Sequence, residues 1–351
     1  MTGTDLDLED ARWRFEKAVA PEDFERIPFY AALLRLFQHD QVSLELLASV
    51  REEQRNPMLL LAVLQWLALG DHPVLGPLYE EVRSGRSVDA ESYAARVLDV
   101  VHRDLDLVRA QLWRATQTNE PGRSAVLQAV IADLARGRGV INLLEVGCSA
   151  GINLHLDRFV VRESDDGEPL TLVCHDVGGM CDREMPSIAR RVGIDPNPLR
   201  LENPDDRRWL KACLWPENHR RHERFDAIVD AWPMWEPLTV LAGTVRERFE
   251  ESLEATKDAF TIIVNTWVLF YLSAQEREWF LESAHRAARR GGVATVSVES
   301  KLVPIPGFHS ERRAHERGAS QIVVAREHAS PELWGWCHPH GRWLERAAPQ
   351  A

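Results

Sequence analysis

The sequence is poor in cysteine. Its five thiols, at positions 148, 174, 181, 213 and 337, include no C-x-x-C pair. An odd, unpaired set argues against a disulfide framework and places the chain in a reducing setting, so a cytoplasmic location is expected. Cys174, His175, Cys181, Cys337, His338 and His340 are of metal-binding type, but their spacing matches no zinc template, and no metal is expected. An excess of positive charge is also lacking. With 42 Lys and Arg against 54 Asp and Glu, the net charge is −12, which argues against a general nucleic-acid binder. The basic stretch His219–Arg224 reads as a solvated helix face. There is no long apolar run. Met58–Leu69, interrupted by Gln65, is too short to span a bilayer. The first ten residues are acidic and contain no apolar core of a signal peptide. The partner expected from these absences is a small-molecule substrate, with no nucleic acid and no membrane. Oligomeric state leaves no signature in the sequence.

What is present is a globular composition, 45% hydrophobic and 27% charged, in 351 residues. That is enough for one large or two ordinary domains. Residues 1–138 have helical periodicity, with helices expected over 10–19, 27–37, 44–51, 58–69, 77–85, 90–116 and 124–136. From Val140 the pattern changes to strand–helix alternation, the grammar of a mostly parallel, doubly wound α/β sheet. Strands are expected at 140–146, 191–195, 238–243, 259–265, 293–298, 321–325 and 334–337, with helices at 205–213, 215–224, 245–257 and 274–290. Residues 159–177, with Asp165-Asp166-Gly167 in the middle, read as an inserted β-hairpin. The domains expected are 1–138, helical, forming a lid and part of the substrate pocket, and 139–351, the α/β domain.

The most informative segment is Val140–Arg158. An apolar strand ends in Glu145, turns through Gly147, Ser149 and Gly151, and continues at helical spacing. Glycine lets such a turn bring backbone N–H groups and a helix N-terminus close to a ligand. Glu145-x-Gly147-x-Ser149-x-Gly151 resembles the first motif of class I S-adenosylmethionine (SAM)-dependent methyltransferases. Gly147-x-Ser149-x-Gly151 is also the nucleophile elbow of α/β-hydrolases. In that reading Ser149 works with a downstream acid and histidine such as Asp230 and His338. The helical character of the preceding segment favours the SAM reading, because a hydrolase elbow needs earlier strands.

Asp195, in Gly193-Ile-Asp-Pro-Asn-Pro198, is the candidate ribose-binding acid at the end of the second strand, with Asp176 the competitor. The polar loop Arg114–Arg123 lies just ahead of the α/β domain and contains Gln117, Asn119 and Glu120. Such a loop serves either a site or a helix cap. Asn265, Thr266 and Trp267 follow the fourth strand. Trp215 and Trp267, among twelve tryptophans, suit an apolar wall or a sulfonium contact. Glu120, Glu217, His155, His338 and His340 are candidate bases.

Taken together, Thr116–Glu120 with Arg123, Glu145–Arg158, Gly193–Pro198, Trp209–Glu217 and His338–Gly341 resemble a bacterial family of unknown function that is itself methyltransferase-like. The resemblance covers nearly the whole chain. It implies a Rossmann-like methyltransferase fold with a helical N-terminal region and a SAM-dependent transferase acting on a small molecule. Gln117, Glu145, Gly147, Ser149, Gly151, Asn153, Asp195 and Trp215 are then the expected cofactor-binding residues, and Asn119, Glu120 and Asn265 the expected catalytic ones. Attack at the aminobutyrate carbon in place of the methyl, and a non-catalytic SAM-binding protein, are the alternatives. Two positions depart from the pattern: Leu199 stands where an aspartate is expected, and Gly243-Thr244 where a Gly-Asp pair is usual.

Overall fold

In a computed structural model, which describes residues 3–18, 26–177, 179, 181, 183–305 and 318–347, the chain is a mixed α/β protein. In chain order it forms α1 (Gly3–Lys17), α2 (Pro28–Phe37), α3 (Gln41–Ala48), α4 (Pro57–Ala68), α5 (Leu75–Arg83), α6 (Ala90–Arg103), α7 (Leu105–Arg109) and α8 (Arg123–Leu134). Strand β1 (Val140–Val146) follows, then β2 (Val160–Arg162), β3 (Thr171–Val173), β4 (His175–Val177) and β5 (Ser187–Asp195). Next come α9 (Pro204–Ala212), α10 (His219–Ala231), β6 (Thr239–Ala242), α11 (Val245–Ala255), β7 (Phe260–Thr266), α12 (Ala274–Arg290) and β8 (Val293–Ser300). The chain closes with β9 (Ser320–Ala325), β10 (Glu332–Cys337) and β11 (Trp343–Arg346).

Two compact units emerge. Met1–Thr118 with Arg200–Asp230 form the helical unit, and Asn119–Leu199 with Ala231–Ala351 form the sheet unit. Helix α8, which the sequence pattern grouped with the N-terminal helices, belongs with the sheet. The connection between β5 and β6 runs through the helical unit as α9 and α10.

The helical unit is assembled on buried polar ties as well as on its apolar faces. Asp40, Asn56, Asp89 and Asn203 cap α3, α4, α6 and α9, each side chain accepting from a first-turn N–H. Gln65, fully buried on α4, accepts from the Tyr30 hydroxyl (2.8 Å) and donates to the carbonyls of Lys211 and Leu214. Buried amides with all groups bonded fix packing register, because each unmade bond would cost about 1–3 kcal/mol.

The sheet unit carries a nine-stranded sheet in the order β4-β11-β10-β9-β8-β7-β1-β5-β6. Strands β6, β5, β1, β7 and β8 run parallel, β9 and β10 follow as an antiparallel meander, and β4 pairs in parallel with β11. Central strand β7 is buried along its whole length, as is β1 after its first residue, which accounts for their apolar runs. Chain order reverses at β1: the connection from β5 to β6 runs to one side of it, and that to β7 crosses to the other.

Three expectations are corrected. Residues 159–177 are not a hairpin, because β2 and β3 pair in parallel and β4 joins β11 at the far sheet edge. The segment after the glycine turn is a kinked 3-10 turn, Ile152–Arg158, in place of an α-helix, with His155 outside helical geometry. The helix expected over 90–116 breaks at Asp104 and ends at Arg109, and its second part is α7.

Candidate functional site

The site is built at the carboxyl ends of β1, β5, β7 and β8, where chain order reverses. Glu145, next to last on β1, is 3% exposed. Burial pushes its carboxyl up to about 8, against a hydrogen bond from Asn153 and the Arg123 charge, which favour ionisation, while the Asp195 charge adds to the rise. Its Oε2 has no hydrogen-bond partner among the described residues. Asn153 in turn accepts from the Ser124 hydroxyl at 3.0 Å, so α8, the 3-10 turn and β1 share one polar chain.

After β1 the backbone takes positive φ at Gly147 (76°), Ser149 (54°) and Gly151 (77°). Only glycine adopts such angles at little cost, so Ser149 is strained. A Cβ on Gly147 would collide with Val268, and one on Gly151 would press Leu238. The close approach allowed by these glycines is therefore made by the protein's own side chains. Ser149 Oγ is buried and has no partner among the described residues. No histidine among the described residues hydrogen-bonds it, and His338 Nδ1 accepts from the His340 N–H.

Asp195 ends β5, which pairs in parallel with β1, while Asp176 lies on β4 at the opposite sheet edge. Asp195, and not Asp176, therefore stands at the strand end next to β1. Its carboxylate accepts the N–H of Ser149 (2.8 Å) and of Asn197 (2.8 Å), holding the glycine turn against the β5 end. Burial raises its pKa. Thr244, the departure from Gly-Asp, caps α11 in a reciprocal box with Glu247, a role in which aspartate and threonine are interchangeable. Leu199 donates its N–H to the Ser149 carbonyl at 3.4 Å, a backbone bond that asks nothing of its side chain.

The loop before α8 reaches the glycine turn. Asn119 Nδ2 donates to the Cys148 carbonyl at 3.2 Å. Glu120, 2% exposed, accepts the Gly122 N–H, and its other oxygen lies 3.3 Å from His340 Nδ1. Gly341 (φ 71°) sits against the Gly122 carbonyl so closely that a Cβ would overlap it. The two separated motifs, Asn119–Arg123 and His338–Gly341, are thus one interlocked structure. Arg123 donates to the Pro339 and Thr266 carbonyls (3.2 and 3.3 Å).

Asn265, near the end of β7, is bonded to its neighbours on β8. Its amide donates to Glu299 and accepts from Ser297, so both ends are held within the sheet. Glu299, on β8 and fully buried, was not singled out in the sequence, where an acid ending an apolar strand was the available signal. One oxygen accepts from Asn265 and from the N–H groups of Val268 and Leu269, and Oε2 has no partner among the described residues. Burial raises its carboxyl to about 7.

Gln117, Trp215 and Glu217 belong to the helical unit. Glu217 accepts the Tyr30 N–H at 3.0 Å, capping the first turn of α2, where the helix dipole favours a carboxylate. Trp267 donates to Ser320 at 2.9 Å. His155 packs on Trp232 and Trp235, and burial lowers its pKa to about 4. All five cysteines are free, and no group of three metal-type side chains is gathered among the described residues.

Fold and site together define a mixed α/β protein with buried carboxylates at the strand ends of its sheet. The chain belongs to the family described as an uncharacterized protein conserved in bacteria (DUF2332), which it matches over residues 12–346. No curated protein and no solved structure matches it.

Proposed function

We propose that the chain is a SAM-dependent transferase, most simply a methyltransferase, acting on a small molecule. The observation that carries this reading is Glu145 Oε2, a buried acceptor without a partner among the described residues, near the end of β1, beside a turn of positive φ and at the reversal of chain order. Ligands of open α/β sheets bind at such reversals, and the parallel strands follow the third-second-first-fourth-fifth order of doubly wound sheets. The antiparallel meander β9–β10 is added to that core.

The residues fit a ligand rich in hydrogen-bonding groups. Glu145, Asp195 and Glu299 are acceptors, and Ser149 Oγ adds an unpartnered hydroxyl. SAM, when bound, supplies an activated methyl on a sulfonium. Glu145 and Asp195 would hold its donor groups, and Asn119 would fix the Cys148 carbonyl. Glu120 and His340, 3.3 Å apart, are the pair suited to take a proton from the acceptor.

Isothermal titration with SAM and S-adenosylhomocysteine tests the reading. Micromolar binding is expected, with Asp195→Ala weakening it about 10- to 150-fold. Gly151→Val should abolish it in a folded variant. Absence of binding to the wild-type chain overturns the proposal.

A further inference from the structure

Away from the strand-end site, the sheet unit carries a second charged cluster of opposite sense. Asp133, on the last turn of α8, is 8% exposed. Its Oδ1 accepts from Arg136 (3.0 Å) and Arg183 (2.6 Å). Its Oδ2 accepts from Arg326 (2.8 Å), Arg346 (2.9 Å) and the Trp334 indole (2.9 Å). Four guanidinium groups converge on one carboxylate, and Glu332 adds a second acid on Arg326 alone. Five donors use up the roughly four lone-pair sites of Asp133, yet each arginine gives it only one N–H. Each guanidinium therefore keeps N–H donors beyond the one it gives Asp133, and Arg326 spends one of these on Glu332. Arg346 lies 4.3 Å from the Trp334 ring, which holds it in place. An open surface depression of about 380 Å³ lies beside the cluster, lined by Asp133, Leu134, Arg136 and Arg326.

A purely structural tie needs no more positive charge than it neutralises. Here, among the described residues, the four guanidinium charges exceed the two acids that pair with them by two, beside an open depression. We infer that the Asp133 arginine cluster is a binding site for a small phosphate-bearing molecule, its phosphoryl oxygens taken by Arg136 and Arg326 at the wall of the depression. A dianionic phosphoryl group matches the excess charge and the fork geometry. The inference is independent of the SAM reading, since none of these residues belongs to the strand-end site.

The experiment is titration of the full chain with inorganic pyrophosphate at constant ionic strength, with sulfate as the comparison anion. One site per chain is expected, weakened about tenfold or more in Arg136→Ala. Arg136 is 70% exposed and its loss leaves the rest of the cluster in place. In Asp133→Asn the melting temperature should fall, and pyrophosphate should raise it more than in wild type, because the four guanidinium groups have then lost their carboxylate. Absence of binding to wild type, equal affinity in Arg136→Ala, equal binding of sulfate, or no extra gain in Asp133→Asn would each overturn the inference.

Discussion

The two ends of α8 make opposite use of charge. At its first residue, Arg123 is one cation facing the buried carboxyls of Glu145 and Glu299. At its last turn, Asp133 is one anion among four arginines. Both placements run against the helix dipole, which favours anions at the N-terminus and cations at the C-terminus. Each charge is therefore held by tertiary partners and not by its own helix. The ends, about 15 Å apart by helix rise, also differ in water. The carboxyls around Arg123 are dry and their pKa values rise. Asp133 is ringed by partly exposed guanidinium groups that push its pKa well below the ordinary aspartate value. A dry end holds proton-bearing acceptors, whereas a wet, arginine-rich end holds a permanent anion.

The largest test acts on the joint that holds the first end together. Gly341→Ala forces a Cβ into the Gly122 carbonyl at positive φ, and we expect a loss of about 3 kcal/mol or more in chemical denaturation. A melting curve like wild type would mean that the two motifs are not interlocked. Next, Glu145→Gln should stabilise the chain. The folded-state pKa, about 8, lies above the ordinary 4.5, so the folded chain keeps a proton that the unfolded chain has lost. That contribution is whole below pH 4.5 and declines as pH rises toward 8. The substitution should gain on the order of 2 kcal/mol at pH 8 and almost nothing at pH 4. A gain that does not depend on pH breaks the contrast between the two ends.

Asp133→Ala should have the opposite sign. Its contribution is present above the ordinary value of 3.8 and is lost as pH falls below it. Because its arginine partners are a third or more exposed, we expect a loss of about 1–3 kcal/mol, smaller at high salt. Denaturant titrations at pH 3 and pH 7 check the direction. Asn119→Ala removes one hydrogen bond to Cys148 and should cost about 0.5–1.5 kcal/mol, with a larger loss in SAM binding if the proposed function holds. The smallest effect is expected at Ser149→Ala, within about 0.5 kcal/mol, because the hydroxyl has no partner among the described residues.

Local pattern determined much of this. The run from Val140 to Val146 is a buried strand because it is apolar on both faces, and α12 spans Ala274–Arg290 as its capping serine and closing glycine require. Asp195 was marked by the chain breaking straight into Pro196-Asn-Pro198. The parallel pairing of β2 with β3 was decided elsewhere. Asp165-Asp166-Gly167 has turn chemistry, but strand direction depends on which edge accepts the returning chain.

Sequence alone put Asn265 and Glu217 into the chemistry by their strand-end and motif positions. Tertiary structure shows what each one touches, Glu299 and Ser297 for Asn265 and the first turn of α2 for Glu217. Glu120 with His340, Glu299 with the turn after β7, and Asp133 with Arg183, Arg326 and Arg346 are pairs far apart in the chain. A buried charge is stable only beside partners that the fold itself brings into reach. Periodicity therefore wrote the strands and helices of this protein, and only their packing decided which charges meet and which acceptors stay unfilled.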